Sequence, residues 1–273
     1  MKKFAIIFLL VAGAGFSACE KFEYNVYETN RTKKDIKVTT EYNIERLLRL
    51  SHKDTLHLVF TGDTQQFDDN LEDLVEVIND LPALDAVIIT GDIAEYGTAH
   101  EYKLINEQFK LLKVPFITVI GNHDCLANGP ELYKDIYGPL NYSFTWNNIR
   151  FVAHNTNSRE FNFNGTVPDL NWMQQQLADT ANYQCCIFVS HIPPFNTSFD
   201  KVLEPGYTKL IREAKNTIFS SNGHRHDYSL DQPYNDGIWY LNTSSPPNRI
   251  YCYVTIYPYA SQSKKFDCVP VHF

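Results

Sequence analysis

The sequence predicts an α/β fold in which two packed β-sheets lie between outer helices. Apolar segments of strand length alternate with segments of helical periodicity from Thr55 onward, which is the pattern of βαβ units with a largely parallel sheet. The chain then ends in three consecutive segments of strand character. One sheet does not easily hold this many strands, so two packed sheets are the economical arrangement. The 273 residues, 44% of them hydrophobic, are enough to bury the core of such a fold.

The chain is predicted to begin with a lipoprotein signal peptide at residues 1–18. Two lysines precede an apolar run, Phe4 to Ala14, that is too short to span a membrane. If cleavage precedes Cys19, Phe16 stands where ordinary signal peptides carry a small residue, and this favours the lipoprotein pathway. Cys19 would then carry the lipid that anchors an exported envelope protein, on the periplasmic or outer-membrane face.

Residues 19–54 are predicted to be a polar tether that contains one short amphipathic helix, in YNIERLLRL. Residues 55–273 are predicted to form the folded domain. The formal net charge is −8, and loss of Lys2 and Lys3 with the signal peptide makes it more negative. This charge argues against a broad electrostatic interaction with nucleic acid or anionic lipid, so the predicted membrane contact depends on the lipid.

The cysteines leave two interpretations open. Five of the six remain once Cys19 is assigned to the anchor, so they cannot all pair. Cys252 and Cys268 flank a predicted hairpin turn near Ser261, and they are the best candidates for a disulfide in an exported protein. Two buried free thiols are an equally consistent interpretation.

The individual elements follow from apolar periodicity and turn residues. The first part of the domain contains the strands LHLVF (56–60), DAVIIT (85–90) and PFITVI (115–120) and helices from about Asp68 and over AHEYKLINEQFKLL (99–112). Next comes a hairpin of YSFTW and IRFVAHN around a tight turn at Asn147-Asn148. The remaining elements are a helix near Leu170 to Leu177 and the strands CCIFVS, TIFSS, GIWYLNT, RIYCYVTIY and KFDCVPVHF.

Five predicted strands end in short polar clusters. Ligands bind outside the carboxyl ends of strands in an open α/β sheet, so these clusters are expected to converge. Glycine precedes four of them, which allows tight turns and close backbone approach. Carboxylates, imidazoles and amides without thiolates are donors that hard or borderline divalent metals use. The clusters are Gly62-Asp63-Thr64-Gln65, Gly91-Asp92, Gly121-Asn122-His123-Asp124, Ser190-His191 and Gly223-His224-Arg225-His226.

This ordered set of motifs resembles the calcineurin-like metallophosphoesterase superfamily from Leu56 to about His226. The resemblance implies hydrolysis of phosphomonoesters or phosphodiesters by a hydroxide that bridges two divalent metal ions. His123 resembles the general acid of the family, and Asp124 is expected to orient its ring. The implied ligands are Asp63, Gln65, Asp92 and His226 for the first metal and Asp92, Asn122, His191 and His224 for the second, with Asp92 bridging.

Gln65 departs from the superfamily pattern, which has histidine at this position. Asp63 and Gln65 are two positions apart, so in extended geometry both side chains point to the same side. An amide oxygen is neutral like imidazole but binds borderline metals less strongly. Mn²⁺ is therefore the expected metal, with Mg²⁺, Fe²⁺ or Zn²⁺ as alternatives. In the other interpretation Gln65 is not a ligand, and a water takes its place.

Two further comparisons narrow the predicted function. The iron site of purple acid phosphatases needs a tyrosine three residues after the bridging aspartate, but that position is Glu95 and Tyr96 follows it. An iron–tyrosinate site is therefore disfavoured. The alternative to an enzyme is a non-catalytic envelope lipoprotein that binds phosphorylated ligands through the metal site.

The partner predicted for the site is a small phosphorylated substrate. Arg225 lies between two predicted ligands and either contacts phosphate or faces solvent. The loops REFNFNG and PPFNTSFDKVLEPGY are expected to overhang the site. Their aromatic residues either stack on a nucleobase or pack the loops themselves. These residues are Phe161, Phe163, Phe195 and Phe199.

Overall fold

A computed structural model describes residues 40–65, 69–259 and 265–273. The predicted signal peptide, Cys19 and the turn near Ser261 lie outside these residues. Within the described ranges, no helix combines the length and apolar character that crossing a membrane requires.

Helices and strands alternate along the described residues. The helices are α1 (Thr40–Leu48), α2 (Asp69–Asn79), α3 (Ala99–Phe109), α4 (Gly129–Ile136), α5 (Leu170–Leu177) and α6 (Glu204–Glu213). The strands are β1 (Leu56–Thr61), β2 (Ala86–Ile89), β3 (Phe116–Thr118), β4 (Tyr142–Trp146), β5 (Ile149–Ala153), β6 (Cys185–Val189), β7 (Thr217–Asn222), β8 (Ser229–Asp231), β9 (Tyr240–Asn242), β10 (Ile250–Ile256) and β11 (Phe266–His272). Short 3₁₀ turns cover His123–Cys125 and Pro246–Asn248.

Two mixed sheets form the centre of the fold. The first has the order β11-β10-β1-β2-β3, in which β1, β2 and β3 are parallel and β10 and β11 are antiparallel additions. The second has the order β4-β5-β6-β7-β9-β8, in which β5, β6, β7 and β9 are parallel and the two edge strands are antiparallel. The predicted fold of two packed sheets flanked by helices is therefore confirmed.

Apolar side chains on the central strands alternate between two cores. On β1, Leu58 and Phe60 face the space between the sheets, and the Phe60 ring lies 5.4 Å from that of Phe219 on β7. Val59 points the other way and packs with α2 and α3. A third core lies between the second sheet and the pair α5 and α6. Because the central strands are covered on both faces, their sequences are continuous apolar runs.

The hairpin between β4 and β5 confirms the tight turn predicted from sequence. Asn147 and Asn148 have φ of 51° and 62°, the left-handed values that a two-residue hairpin turn requires. Helix α6 is different, because its first residues fall in a segment predicted to be a loop. Pro205 occupies its first turn, where a missing N–H leaves no bond unmade, and Tyr207 and Ile211 are buried.

Helix α1 contains the amphipathic segment predicted within the tether. Leu47 is buried, and the side-chain oxygen of Asn43 accepts a hydrogen bond from the N–H of Phe116 at 3.2 Å. The guanidinium of Arg46 donates to the carbonyl of Lys113 at 3.1 Å. This helix therefore packs onto the domain predicted to begin at residue 55.

The described cysteines are free thiols. On the antiparallel strands β10 and β11, Cys252 pairs with Pro270 and Val254 pairs with Cys268, so the two thiols lie one pleat apart on the same face. They are hydrogen-bonded to each other. The structure matches the free-thiol interpretation, and their oxidation to a disulfide stays a prediction.

Candidate metal centre

The predicted ligands lie where the carboxyl ends of the parallel strands of both sheets meet. The loops after β1, β2 and β3 come from the first sheet, and those after β6 and β7 come from the second. Asp63 and Gln65 follow β1, Asp92 follows β2, Asn122 follows β3, His191 follows β6, and His224 and His226 follow β7. The structure therefore brings together all seven side chains in the arrangement that the resemblance implies.

Asp92, Asn122, His191 and His224 form one group, which we call the His191 cluster. Nε2 of His191 lies 3.2 Å from Oδ2 of Asp92 and 3.0 Å from Oδ1 of Asn122. The same oxygen of Asn122 lies 2.8 Å from Nδ1 of His224. Donor atoms of Asp92, His191 and His224 all lie within 4.8 Å of one another, a spacing that ligands of one ion can adopt.

Asp63, Gln65, Asp92 and His226 form the second group, the Asp63 cluster. Nε2 of His226 lies 3.4 Å from Oδ1 of Asp63 and 3.5 Å from the amide nitrogen of Gln65. Donor atoms of Asp63, Asp92 and His226 lie within 4.8 Å of one another. Gln65 is buried, and its side-chain oxygen has no hydrogen-bond partner among the described residues. An unpaired buried acceptor costs about 1–3 kcal/mol, which a cation beside it would relieve.

The electrostatics of these residues favour added positive charge. Burial raises the pKa of Asp63 to about 8, with a further rise from the charge of Asp92 and a partial offset from His191. Burial lowers the pKa of His191, but the carboxylates of Asp92 and Asp63 outweigh it and raise the value to about 9. Burial opposes the charged form of Asp92, but His191 outweighs it and lowers the pKa of that carboxyl. The raised pKa values of Asp63 and His191 mark a place where positive charge is stabilised. The donor set therefore fits divalent cations.

Four of the ligand positions have a strained backbone. Asp63, Asp92, His224 and His226 have φ of 54°, 53°, 74° and 60°. This left-handed region costs a residue with a side chain about 1–2 kcal/mol. Such strain persists only where the surrounding structure enforces it, and it concentrates at functional sites. The strain thus supports a functional role for these turns.

Glycines allow the ligand loops to approach one another, as the sequence predicts. A Cβ atom on Gly121 would lie 2.1 Å from the backbone nitrogen of Asp92. A Cβ atom on Gly91, whose φ is 96°, would lie 2.8 Å from Nδ1 of His191. Side chains at either position would therefore push apart the loops that carry Asp92, Asn122 and His191.

His191 is held in one tautomer. Its ring is fully buried, and Nδ1 donates a hydrogen bond to the carbonyl of Thr90 at 2.8 Å. Nε2 is therefore the nitrogen that faces the cluster, where a metal ion would take the place of its proton. The hydroxyl of Thr90 in turn lies 2.7 Å from that of Thr243, which joins the two sheets beside the site.

His123 lies beside both clusters. Its backbone N–H donates to Oδ1 of Asp92 at 2.9 Å, and its side chain is 33% exposed. Nδ1 donates to the backbone carbonyl of Glu95 at 3.0 Å, and a carboxylate oxygen of Glu95 lies 3.6 Å from the same nitrogen. This tautomer leaves Nε2 as the nitrogen that can exchange a proton with a ligand.

The prediction that Asp124 orients the His123 ring is wrong. The chain enters a 3₁₀ turn at His123, and the Asp124 side chain is fully buried away from the ring. Glu95 makes the contact instead, and its position three residues after Asp92 is the signal that sequence reasoning missed. Asp124 joins the loops after β2 and β3 by accepting hydrogen bonds from the N–H groups of Ile93, Ala94 and Gly121 at 3.1, 2.8 and 2.9 Å and from the hydroxyl of Tyr102 at 3.1 Å.

The side chains predicted to border the site differ in their contacts and in their exposure to solvent. The guanidinium of Arg225 donates to the carboxylate of Asp227 at 2.9 Å. Phe199 is fully buried beside α6 and Phe195 packs against the same core, so for these two the packing interpretation is confirmed. Phe163 remains 45% exposed.

Comparison with known proteins agrees with this geometry. A family model described as calcineurin-like phosphoesterase matches residues 56–228, a range that contains all the predicted ligands. A solved structure, a dimetal phosphatase from Danio rerio, superposes with a TM-score of 0.55 at 14% identity. The superposition covers 80% of this chain and 99% of that chain, and it shows a shared fold.

Two curated relatives carry phosphodiesterase names. A probable glycerophosphodiester phosphodiesterase from Arcobacter nitrofigilis is 32% identical over 42% of this chain and 45% of the relative. This chain thus spans less than half the length of that relative. A probable cyclic nucleotide phosphodiesterase from Xenorhabdus bovienii is 25% identical over 63% of this chain and 75% of the relative.

Proposed function

Because this chain belongs to the calcineurin-like phosphoesterase family, a family of phosphoric ester hydrolases, we propose that it hydrolyses phosphodiesters with two divalent metal ions. The observation that carries the proposal is that two clusters of ligand-type atoms share Asp92. The names of the two relatives favour a diester over a monoester as the substrate.

In this proposal each cluster would hold one cation, and Asp92 would contribute to both because it belongs to both clusters. When bound, the cations activate water for attack on phosphorus and neutralise charge on the phosphoryl oxygens. Asp63 and Asp92 supply the negative charge, while Asn122 and Gln65 supply neutral amide groups. Hard amide oxygen at Gln65 favours Mn²⁺ or Mg²⁺ over Zn²⁺ in the Asp63 cluster.

His123 is the proposed general acid. The carbonyl of Glu95 fixes its ring, and a carboxylate oxygen of Glu95 lies 3.6 Å from the same nitrogen. The partly exposed ring is able to protonate an alkoxide that leaves toward solvent. Asp124 acts at a distance, because it holds the loops of Asp92 and Asn122 together.

The first experiment measures metal content and turnover of the purified protein. We expect about two ions per chain by elemental analysis after loading with Mn²⁺, and faster hydrolysis of bis(4-nitrophenyl) phosphate than of 4-nitrophenyl phosphate. His123→Ala should lower the rate by about 10²-fold and leave the metal content unchanged. Arg49→Ala, at an exposed position on the chain after α1, is the matched control.

Two results would contradict the enzymatic proposal. One is no turnover of either ester across a panel of divalent metals. The other is a residual rate that does not respond to His123→Ala although the protein binds phosphate esters. The second result is what a non-catalytic envelope protein with a metal-dependent binding site would give.

We also propose that the protein is exported and anchored through a lipid on Cys19. The basic residues, the short apolar run and the position of Phe16 before Cys19 support this proposal. Cys19→Ser should move the protein from the membrane fraction to the soluble fraction and abolish labelling by a radioactive fatty acid. Cys125→Ser serves as the control, and a membrane fraction unchanged by Cys19→Ser would contradict the anchor.

A further inference from the structure

The loop after β5 is attached directly to the His191 cluster. The hydroxyl oxygen of Thr156 accepts a hydrogen bond from the N–H of Ile192 at 2.8 Å, and the amide of Asn157 donates to the carbonyl of Ile120 at 3.0 Å. Ile192 and Ile120 belong to the loops that carry His191 and Asn122. Thr156 and Asn157 are themselves buried, so this end of the loop has a fixed position beside the site.

The chain turns sharply just after these contacts, at Arg159 and Glu160. The carbonyl of Ser158 accepts a hydrogen bond from the N–H of Phe161 at 3.2 Å. The hydroxyl of Ser158 donates to the carbonyl of Val167 at 2.7 Å. Arg159 and Glu160 therefore leave from an anchored turn next to the His191 cluster.

Glu160 carries an unsatisfied acceptor. Its side chain is partly buried, and one carboxylate oxygen, Oε2, is inaccessible to solvent and has no hydrogen-bond partner among the residues the structure describes. The charges of His191 and Asp92 act on this carboxylate, which agrees with its position beside the cluster. A buried acceptor without a donor costs about 1–3 kcal/mol. A hydroxyl donor from a ligand would remove that cost.

Arg159 carries an unused donor. It is exposed, and within the described ranges its guanidinium forms no hydrogen bond or ion pair, in contrast to Arg225. Its positive charge acts on both Glu160 and His224. A free guanidinium beside a phosphoesterase site is suited to contact a phosphoryl oxygen with its forked N–H groups.

We propose that Arg159 and Glu160 select the alcohol of the substrate. Arg159 contacts a phosphoryl oxygen, and Glu160 accepts a hydrogen bond from a hydroxyl on the same alcohol. The preferred substrate is then a phosphate ester of a polyol or a sugar. A site built to bond a hydroxyl rejects the analogue that lacks it, because its own polar group stays unpaired. This inference rests on the proposed function and specifies its substrate class.

The test compares two esters that differ by one hydroxyl. Calorimetry on the Mn²⁺-loaded protein gives the affinities for propyl phosphate and 3-hydroxypropyl phosphate, two monoesters that carry the alcohol in question and that the proposed diesterase would hydrolyse slowly. We expect about tenfold tighter binding of the hydroxylated ester, which is about 1.4 kcal/mol. Glu160→Ala should abolish this preference, so that the two esters bind with equal affinity. Arg159→Ala should weaken both esters by about tenfold, and Arg159→Lys should restore part of the loss.

The chain offers a matched control in the adjacent pair Arg212 and Glu213. Both are exposed at the end of α6, which leads into the amino end of β7, away from the site. Arg212→Ala and Glu213→Ala should leave both affinities and their ratio unchanged.

Several outcomes would overturn the inference. These are equal affinity of the unaltered protein for the two esters, no measurable binding of either, or a preference that survives Glu160→Ala. A lower metal content in Glu160→Ala, measured by elemental analysis, would place Glu160 at the metal instead of at the substrate. Binding needs no turnover, so a failure here is distinguishable from a failure of catalysis, which would concern the proposed function alone.

Discussion

The His191 and Asp63 clusters share Asp92 but differ in how firmly the protein holds their other members. His191 is fully buried with its Nδ1 fixed by Thr90, whereas the His226 side chain is 42% exposed. Gln65 offers an amide where an imidazole is the usual ligand. Because preorganised ligands lose less freedom on binding, we expect the two clusters to hold their ions with unequal affinity. We expect the His191 cluster to hold its ion more tightly.

Asp92→Asn should weaken both clusters, because it removes the carboxylate that they share. We expect loss of more than half of the bound metal and a fall in diesterase rate of more than about 10²-fold, the effect of losing one strong electrostatic group. Elemental analysis and steady-state rates check both. Retention of two ions per chain would show that Asp92 does not bridge.

Asp124→Ala would loosen one cluster more than the other. Asp124 fastens the loops after β2 and β3, so its loss should disturb the His191 cluster first, through Asn122. Four hydrogen bonds of about 1 kcal/mol each suggest a loss of about 4 kcal/mol in the free energy of unfolding, measured with urea. The Mn²⁺ affinity of the tighter site should fall. If the weaker site alone is affected, Asp124 does not support the His191 cluster.

His154 is expected to make the folded protein less stable in acid, an effect that is independent of any loss of metal at low pH. This fully buried imidazole lies 2.9 Å from the hydroxyl of Tyr207, and burial lowers its pKa to about 4 from an ordinary value of 6.5. Between pH 6.5 and pH 4 the unfolded chain binds a proton that the folded protein does not. Stability should therefore fall as the pH falls, by up to about 3 kcal/mol.

The check for His154 is the slope of unfolding free energy against pH in metal-free protein. His154→Gln cannot titrate, so its slope over this window should be flatter, whatever its stability at pH 7. An unchanged slope would assign the acid sensitivity to other groups, such as the cluster residues.

Gln65→His would make the donor groups of the two clusters more alike. Imidazole binds Zn²⁺ better than an amide does, so Zn²⁺ affinity of the weaker site should rise about tenfold, or about 1.4 kcal/mol. Competition with a chromogenic chelator measures both sites at once. No change in either affinity would mean that Gln65 is not a ligand.

The residues of the two clusters could be brought together from sequence because each one lies in the loop that follows a strand. The carboxyl ends of parallel strands converge by topology, so apolar runs and the residues that end them locate Asp63, Asp92 and His191 without coordinates. The family match confirms the predicted superfamily and the class of phosphoric ester hydrolase, and the structural superposition confirms the layered fold. The lipoprotein signal stays a prediction, because residues 1–39 lie outside the described part of the chain.

Other features depend on tertiary contacts that a local pattern does not carry. The direction of the Asp124 side chain is set by donors about thirty residues earlier in the chain, at Ile93 and Ala94. Helix α6 begins with Glu204, Pro205 and Gly206, and because proline and glycine are also typical of loops, its first turn could not be distinguished from a loop. Glu160 gains its character from burial, which adjacent sequence does not reveal.

The left-handed backbone at four ligand positions has a consequence for how this protein can change over generations. Glycine adopts such dihedrals freely, so replacing Asp63, Asp92, His224 or His226 by glycine would relieve local strain. The proposed ligand roles oppose that drift, together with hydrogen bonds such as those from the N–H groups of His123 to Asp92 and of His224 to Asp63. A descendant that no longer needed its cations would be expected to accumulate glycine or asparagine at these turns and to become easier to fold as it lost its chemistry.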